Sequence, residues 1–141
     1  MPLLKRAPNT VAYSFLLVDD NAINLRILER VLNRMYPNSH ITKIQDSTKV
    51  QPVIAHQAFD MVFLDIEMPC ITGVDLARHM RSQRKYDSWG IVAVTTRNTA
   101  SDVAIYKSAG IDFTFPKPLA TTHDHMMDTI NYILRARKAH Y

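Results

Sequence analysis

Short apolar runs alternate along the chain with longer segments in which apolar residues recur every three or four positions. Residues 13–18 (YSFLLV) form a strand-type run ending on Asp19-Asp20. Ile23, Ile27, Leu28, Val31, Leu32 and Met35 follow at helical spacing. They predict a helix from Ala22 to Met35, with Asp20 or Asn21 as its N-cap and Pro37 closing it. Residues 41–44 read as a weak strand, and 48–58 as a helix that holds Pro52 in its first turn. Met61-Val62-Phe63-Leu64 gives the strongest buried-strand signal and runs straight into Asp65. A loop with Pro69 and Gly73 leads to an amphipathic segment marked by Val74, Leu76, Ala77 and Met80. Residues 91–94 form a β-rich run ending at Thr95-Thr96, and 100–109 read as a helix stopped by Gly110. A short run at 113–115 reaches Pro116-Lys117-Pro118. The last helix, predicted over 120–137, carries Met126, Met127, Ile130, Ile133 and Leu134 on one face.

Five strands thus alternate with five helices. Continuous apolar strands in such an alternation indicate an α/β fold, a parallel sheet covered on both faces. No repeat, low-complexity tract or long linker divides the 141 residues. The expectation is one domain over 12–141 behind a flexible N-terminal tail, 1–11.

Composition changes this picture little. No apolar stretch approaches the roughly 20 residues of a membrane span. The opening MPLLKRAPNT does not read as a signal peptide. A reducing compartment, cytoplasmic with the nucleus as an alternative, is expected. Cys70 stands alone, so no disulfide framework or cysteine-based zinc site is expected. His123 and His125 lie two apart, a spacing that does not share a helical face. The net charge of +4 invites a nucleic-acid reading. Lys5, Arg6, Arg135, Arg137 and Lys138, however, lie at the two ends, and the remaining body holds 12 basic against 13 acidic residues. With no accompanying aromatic stripe, the basic ends read as solvated and nucleic-acid binding is not expected.

Ligands of open α/β sheets bind beyond the carboxyl ends of the strands. Here those ends carry Asp19 and Asp20, Asp65, Thr95 and Lys117. Three crowded carboxylates repel one another unless a cation joins them. A hard ion with oxygen ligands, Mg²⁺ before Ca²⁺, suits one or two carboxylates, waters and a phosphoryl oxygen. A carboxylate there can act as a nucleophile toward phosphorus, while Lys117 and Thr95 hold phosphoryl oxygens.

Four motifs carry a resemblance: V-D-D-N-x-x-N-x-x-I-L from Val18, F-L-D-I-E-M-P-x-I-T-G-V-D-L from Phe63, A-V-T-T from Ala93, and K-P at Lys117-Pro118. In this order and spacing they resemble the receiver domain of two-component response regulators, over residues 13 to 137. The resemblance implies a doubly wound, flavodoxin-like sheet of order 2-1-3-4-5. It implies Asp65 as phosphoacceptor, Lys117 as the lysine that pairs with the phosphoryl group and is joined to Pro118 by a cis bond, and Thr95 as the switch hydroxyl. Mg²⁺ is then held by Asp20 directly, by Asp19 through water, by Asp65, and by the backbone carbonyl of Glu67. The implied donor is a phosphohistidine on a histidine kinase or histidine phosphotransfer protein. The implied output is a protein contact by the face of the fourth helix, fifth strand and fifth helix, including Ile105, Tyr106 and Thr114.

The chain departs from the family where the switch aromatic is usual, three residues before the lysine. That position is Thr114, and the flanking Phe113 and Phe115 read as core. Glu67 and Arg97, each two residues beyond a site residue, are expected to meet over the site and set the phosphoryl lifetime. The N-x-x-N motif and Asp102 resemble receivers of hybrid kinases and of eukaryotic, fungal or plant, regulators. The expected function is therefore a switch that phosphorylates and dephosphorylates itself and has no external small-molecule substrate. Two alternatives are a receiver-like binding module independent of phosphorylation and an aspartyl-phosphate hydrolase. Glu67, in place of a second catalytic aspartate, and the missing cap insertion weigh against the hydrolase. The chain is expected to be either a stand-alone receiver or part of a longer protein.

Overall fold

The computed structural model describes residues 5–139. Five strands, β1 (Ser14–Val18), β2 (His40–Ile44), β3 (Met61–Leu64), β4 (Gly90–Thr95) and β5 (Phe113–Pro116), pair in parallel in the order β2-β1-β3-β4-β5. The helices are α1 (Ala22–Met35), α2 (Val50–His56), α3 (Gly73–Arg81), α4 (Ala100–Ser108) and α5 (His123–Lys138). Both the fold class and the strand order follow the expectation.

Strand alternation sorts the core into two layers. Leu16, Val18, Val62, Leu64, Ile91 and Ala93 face one way, toward Ile54 of α2, Leu76 and Met80 of α3 and Tyr106 of α4. Phe15, Leu17, Met61, Phe63, Val92, Val94 and Phe115 face the other, toward Leu25, Leu28 and Leu32 of α1 and Met126, Ile130 and Leu134 of α5. The chain leaves β1 for β2 on one side and reaches β3 on the other. A crevice therefore opens at the carboxyl ends of β1 and β3, where order reverses.

Local chemistry fixes the boundaries. The Asn21 side chain accepts hydrogen bonds from the Ile23 and Asn24 amides, so Asn21 rather than Asp20 caps α1. Pro52 lies in the first turn of α2, as predicted, but that helix ends at His56. The last helix starts at His123, three residues later than periodicity suggests, because Thr122 caps it. Capping boxes open α3 (Thr72 with Asp75) and α4 (Thr99 with Asp102). Asp102, singled out above for its family resemblance, thus has a local structural role.

Opposite the crevice, Asp112 meets Arg81 at 3.1 Å and Arg137 at 2.5 Å, and accepts from the Ile91 amide at 3.0 Å. Gly110, at φ 93°, lets the Arg81 stem lie against it, where a Cβ would stand 2.2 Å from Arg81 Cγ. Arg137 is therefore not a solvated tail charge as the sequence suggested. Its partner lies in the loop before β5, a pairing that only the folded topology creates. Residues 1–4 of the expected tail lie outside the described residues. Beyond them, the Lys5 and Arg6 amides donate to Asp124, Arg6 pairs with Asp128, and the Asn9 amide donates to the Met35 carbonyl. No helix among the described residues is long and apolar enough to cross a membrane.

Candidate functional site

Backbone hydrogen bonds continue past the strand ends and fix the site. The Asp19 amide donates to the Ile44 carbonyl, the Asp65 amide to Val18 at 2.8 Å, and the Lys117 amide to Thr95 at 2.9 Å. Asp19, Asp20, Asp65, Thr95 and Lys117 are thereby presented at one edge by four elements. A close backbone approach supports Asp65. A Cβ on Gly73 would stand 2.3 Å from the Asp65 carbonyl oxygen, so only glycine lets the first turn of α3 lie there.

The carboxylates of Asp19, Asp20 and Asp65 each offer an oxygen within 4.8 Å of the others. Lys117 Nζ lies 2.7 Å from Asp19 Oδ2 and 3.3 Å from Asp65 Oδ1. Asp19 and Asp65 are buried, whereas Asp20 is exposed. Because Asn21 caps α1, the Asp20 carboxylate is not committed to that helix. Burial pushes the Asp65 carboxyl above its ordinary range, Asp19 adds to the rise, and Lys117 opposes it. Three carboxylates against one ammonium leave two negative charges in excess, a donor set of oxygens that fits a hard divalent cation. The Lys117–Pro118 bond is cis.

Thr95 is 1% exposed, and its hydroxyl oxygen accepts from the Arg97 amide at 3.1 Å. Arg97 Nε meets Glu67 Oε1 at 3.1 Å, so the two loop charges expected to approach each other do so, both well exposed. The surface assignment of Tyr106 needs correction. Its ring is 4% exposed and belongs to the core, because Val103, Tyr106 and Ala109 turn one face of α4 inward. Of the three residues named for the output face, Ile105 is half exposed and Thr114 half buried. The core reading fits Phe115, 1% exposed; Phe113, on an edge strand, is 38% exposed and rests against Phe115 at 4.9 Å between ring centroids. His123 is buried, with no hydrogen-bond partner for either ring nitrogen among the described residues, while His125 is exposed. Sequence reasoning missed the contacts of Gly73 and Tyr106. The i, i+3 spacing of Val103 and Tyr106 was the available signal for the latter.

Fold and site together set three carboxylates and a lysine at the switch point of a doubly wound sheet. The response regulator receiver domain family matches residues 15–131, and the chain belongs to it. Members of this family serve two-component phosphorelay signalling. Among its relatives are the stress response regulator protein 1 of Scheffersomyces stipitis, 53% identical over 133 residues (94% of this chain, 46% of the relative), and that of Debaryomyces hansenii, also 53% identical (94% and 55%). The Candida albicans counterpart is 49% identical over 131 residues, 93% of this chain and 46% of the relative. The chain spans about half the length of these relatives.

The fold is shared with solved receivers. The receiver domain of a Pseudomonas aeruginosa sensor histidine kinase, with magnesium coordinated in its active-site cleft, superposes with TM-score 0.75 at 21% identity over 88% of this chain and 98% of that one. A CheY-like receiver from Methanospirillum hungatei gives 0.78 at 18% identity over 93% and 100%.

Proposed function

We propose that the chain accepts a phosphoryl group on Asp65 from a phosphohistidine of a histidine kinase or phosphotransfer protein, and signals through a protein contact that depends on it. The observation that carries this reading is the excess of negative charge around a buried, lysine-paired carboxylate at the sheet's switch point. Mg²⁺ would be held by Asp20 directly, Asp19 through water, Asp65, and the Glu67 backbone carbonyl, where it offsets the crowded carboxylate and phosphoryl charge.

An Asp65 oxygen forms the new bond to phosphorus as the phosphorus–nitrogen bond of phosphohistidine breaks. The electron pair stays with the departing imidazole. Lys117 stands between Asp19 and Asp65 and is placed to pair with a phosphoryl oxygen. The Thr95 hydroxyl is the candidate second donor, which it becomes by turning from its present inward position. The crevice beside Asp65 continues into an apolar groove of about 420 Å³ against α1, lined by Leu25, Leu28 and Val31, where a donor protein can seat. Ile105 and Phe113 expose apolar surface on the α4–β5–α5 side for the output contact. Glu67 and Arg97 set how long the phosphoryl group persists.

Incubation with a phosphorylated histidine phosphotransfer protein tests the reading. One phosphoryl group should move to the native chain in the presence of Mg²⁺ and none to Asp65→Asn. No transfer to the folded native chain from any donor would favour a phosphorylation-independent binding module.

A further inference from the structure

All three polar parts of Arg97 are engaged. Its amide donates to the Thr95 hydroxyl oxygen at 3.1 Å, its side chain pairs with Glu67 at 3.1 Å, and its carbonyl accepts from the Tyr106 phenol at 2.7 Å. The Arg97–Glu67 pair is 68% and 56% exposed, and an exposed pair holds a loop weakly. The bond from the buried Tyr106 is of another kind. Burying a phenol is unfavourable unless its hydroxyl finds a partner, so ring and loop are restrained together.

The space for this ring comes from the neighbouring strands. Phe113 and Phe115 occupy the α5 side of β5, so alternation turns Thr114 toward α4. Thr114 pairs in register with Ala93, another small residue, and Ala93 shares its core cluster with Tyr106, Ala109 and Ile111. β5 thus supplies no large side chain on that face, and α4 supplies one from the opposite side. Burial pushes the Tyr106 phenol above its ordinary range, with Asp102 adding to the rise and the neighbouring Thr95 side chain opposing it. The phenol therefore remains a donor.

We propose that Tyr106 is a positioning residue for the lifetime of the phosphoryl group: its phenol holds the Arg97 backbone, and through it the Thr95 hydroxyl and the Arg97–Glu67 pair, at the mouth of the Asp65 site. The inference rests on the phosphoacceptor reading of Asp65 and adds a residue remote from the reacting atoms. Loss of the hydroxyl frees the loop and opens the path of the attacking water.

The test uses the whole chain, phosphorylated with acetyl phosphate, freed of donor, and followed by intact mass. Tyr106→Phe keeps the ring and should shorten the lifetime roughly fivefold, the effect of one neutral hydrogen bond. Arg97→Ala should shorten it too, and the double variant should decay no faster than the faster single. An unchanged lifetime in Tyr106→Phe, or effects that multiply in the double variant, would overturn the proposal. Amide exchange reads the same restraint without phosphorylation. The Arg97 and Asn98 amides should exchange faster in Tyr106→Phe while β4 stays protected, and unchanged exchange there would also overturn it. Absence of phosphoryl uptake by the native chain would overturn the proposed function and with it the lifetime role, and amide exchange would then show separately whether Tyr106 restrains the Arg97 loop.

Discussion

β4 and β5 run between two charged clusters that obey opposite rules. At their amino ends, Asp112 lies between Arg81 and Arg137 and accepts the Ile91 amide, so the lone carboxylate is satisfied from every side. At their carboxyl ends, beside Thr95 and Lys117, three carboxylates share one ammonium. The first arrangement ties α3, the α4–β5 loop and α5 together and needs nothing further. The second carries an excess of negative charge, which the proposed function has a divalent cation offset. The difference separates a charge cluster that holds a fold from one whose excess charge suits it to binding.

The comparison is most easily broken at Asp112. Asp112→Ala leaves two part-buried arginines facing each other and should lower stability by about 3 kcal/mol in denaturant unfolding. A loss under about 1 kcal/mol would remove the cluster's structural role. Saturating Mg²⁺ should act only at the other end. At a hundredfold excess over its dissociation constant it should stabilise the native chain by about 2.7 kcal/mol. The same increment is expected in Asp112→Ala and a smaller one in Asp20→Asn; equal increments in all three would place the ion elsewhere.

A smaller effect follows from the raised pKa of Asp65. The folded chain holds that proton more tightly than the unfolded one, so stability falls as pH rises through the interval between the two pKa values. Above that interval the charged carboxylate is a net penalty. Without metal, Asp65→Asn should therefore be more stable than the native chain at pH 7. The gain should vanish below the ordinary aspartate value of 3.8. A destabilised Asp65→Asn at pH 7 would mean that the pairing with Lys117 outweighs burial and Asp19. The smallest effect belongs to the exposed pair: Glu67→Ala should change stability by no more than about 0.5 kcal/mol.

The carboxyl-end cluster was legible in the sequence because its members lie at or just beyond the ends of strand-type runs. Val18 hands the chain to Asp19, Leu64 to Asp65, Val94 to Thr95, and topology then brings them together. The amino-end cluster was not legible. Arg81, Asp112 and Arg137 sit at the ends of three unrelated elements, and Arg137 reads as a tail charge until α5 is laid beside β5. Tyr106 was hidden for a related reason. α4 has only a weak apolar stripe, the i, i+3 pair Val103 and Tyr106, and its inward face is settled only once Ala93 and Thr114 leave room beneath it. Gly73 was visible as a loop glycine, but its contact with the Asp65 backbone depends on how α3 docks.

The central claim is that the unbalanced cluster exists to phosphorylate Asp65. Borohydride reduction of the acyl phosphate, after exposure to acetyl phosphate and Mg²⁺, followed by peptide mass mapping, addresses it most directly. The account predicts homoserine at position 65 alone, absent when Mg²⁺ is withheld. Conversion at Asp19 or Asp20, or equal conversion without Mg²⁺, would contradict it.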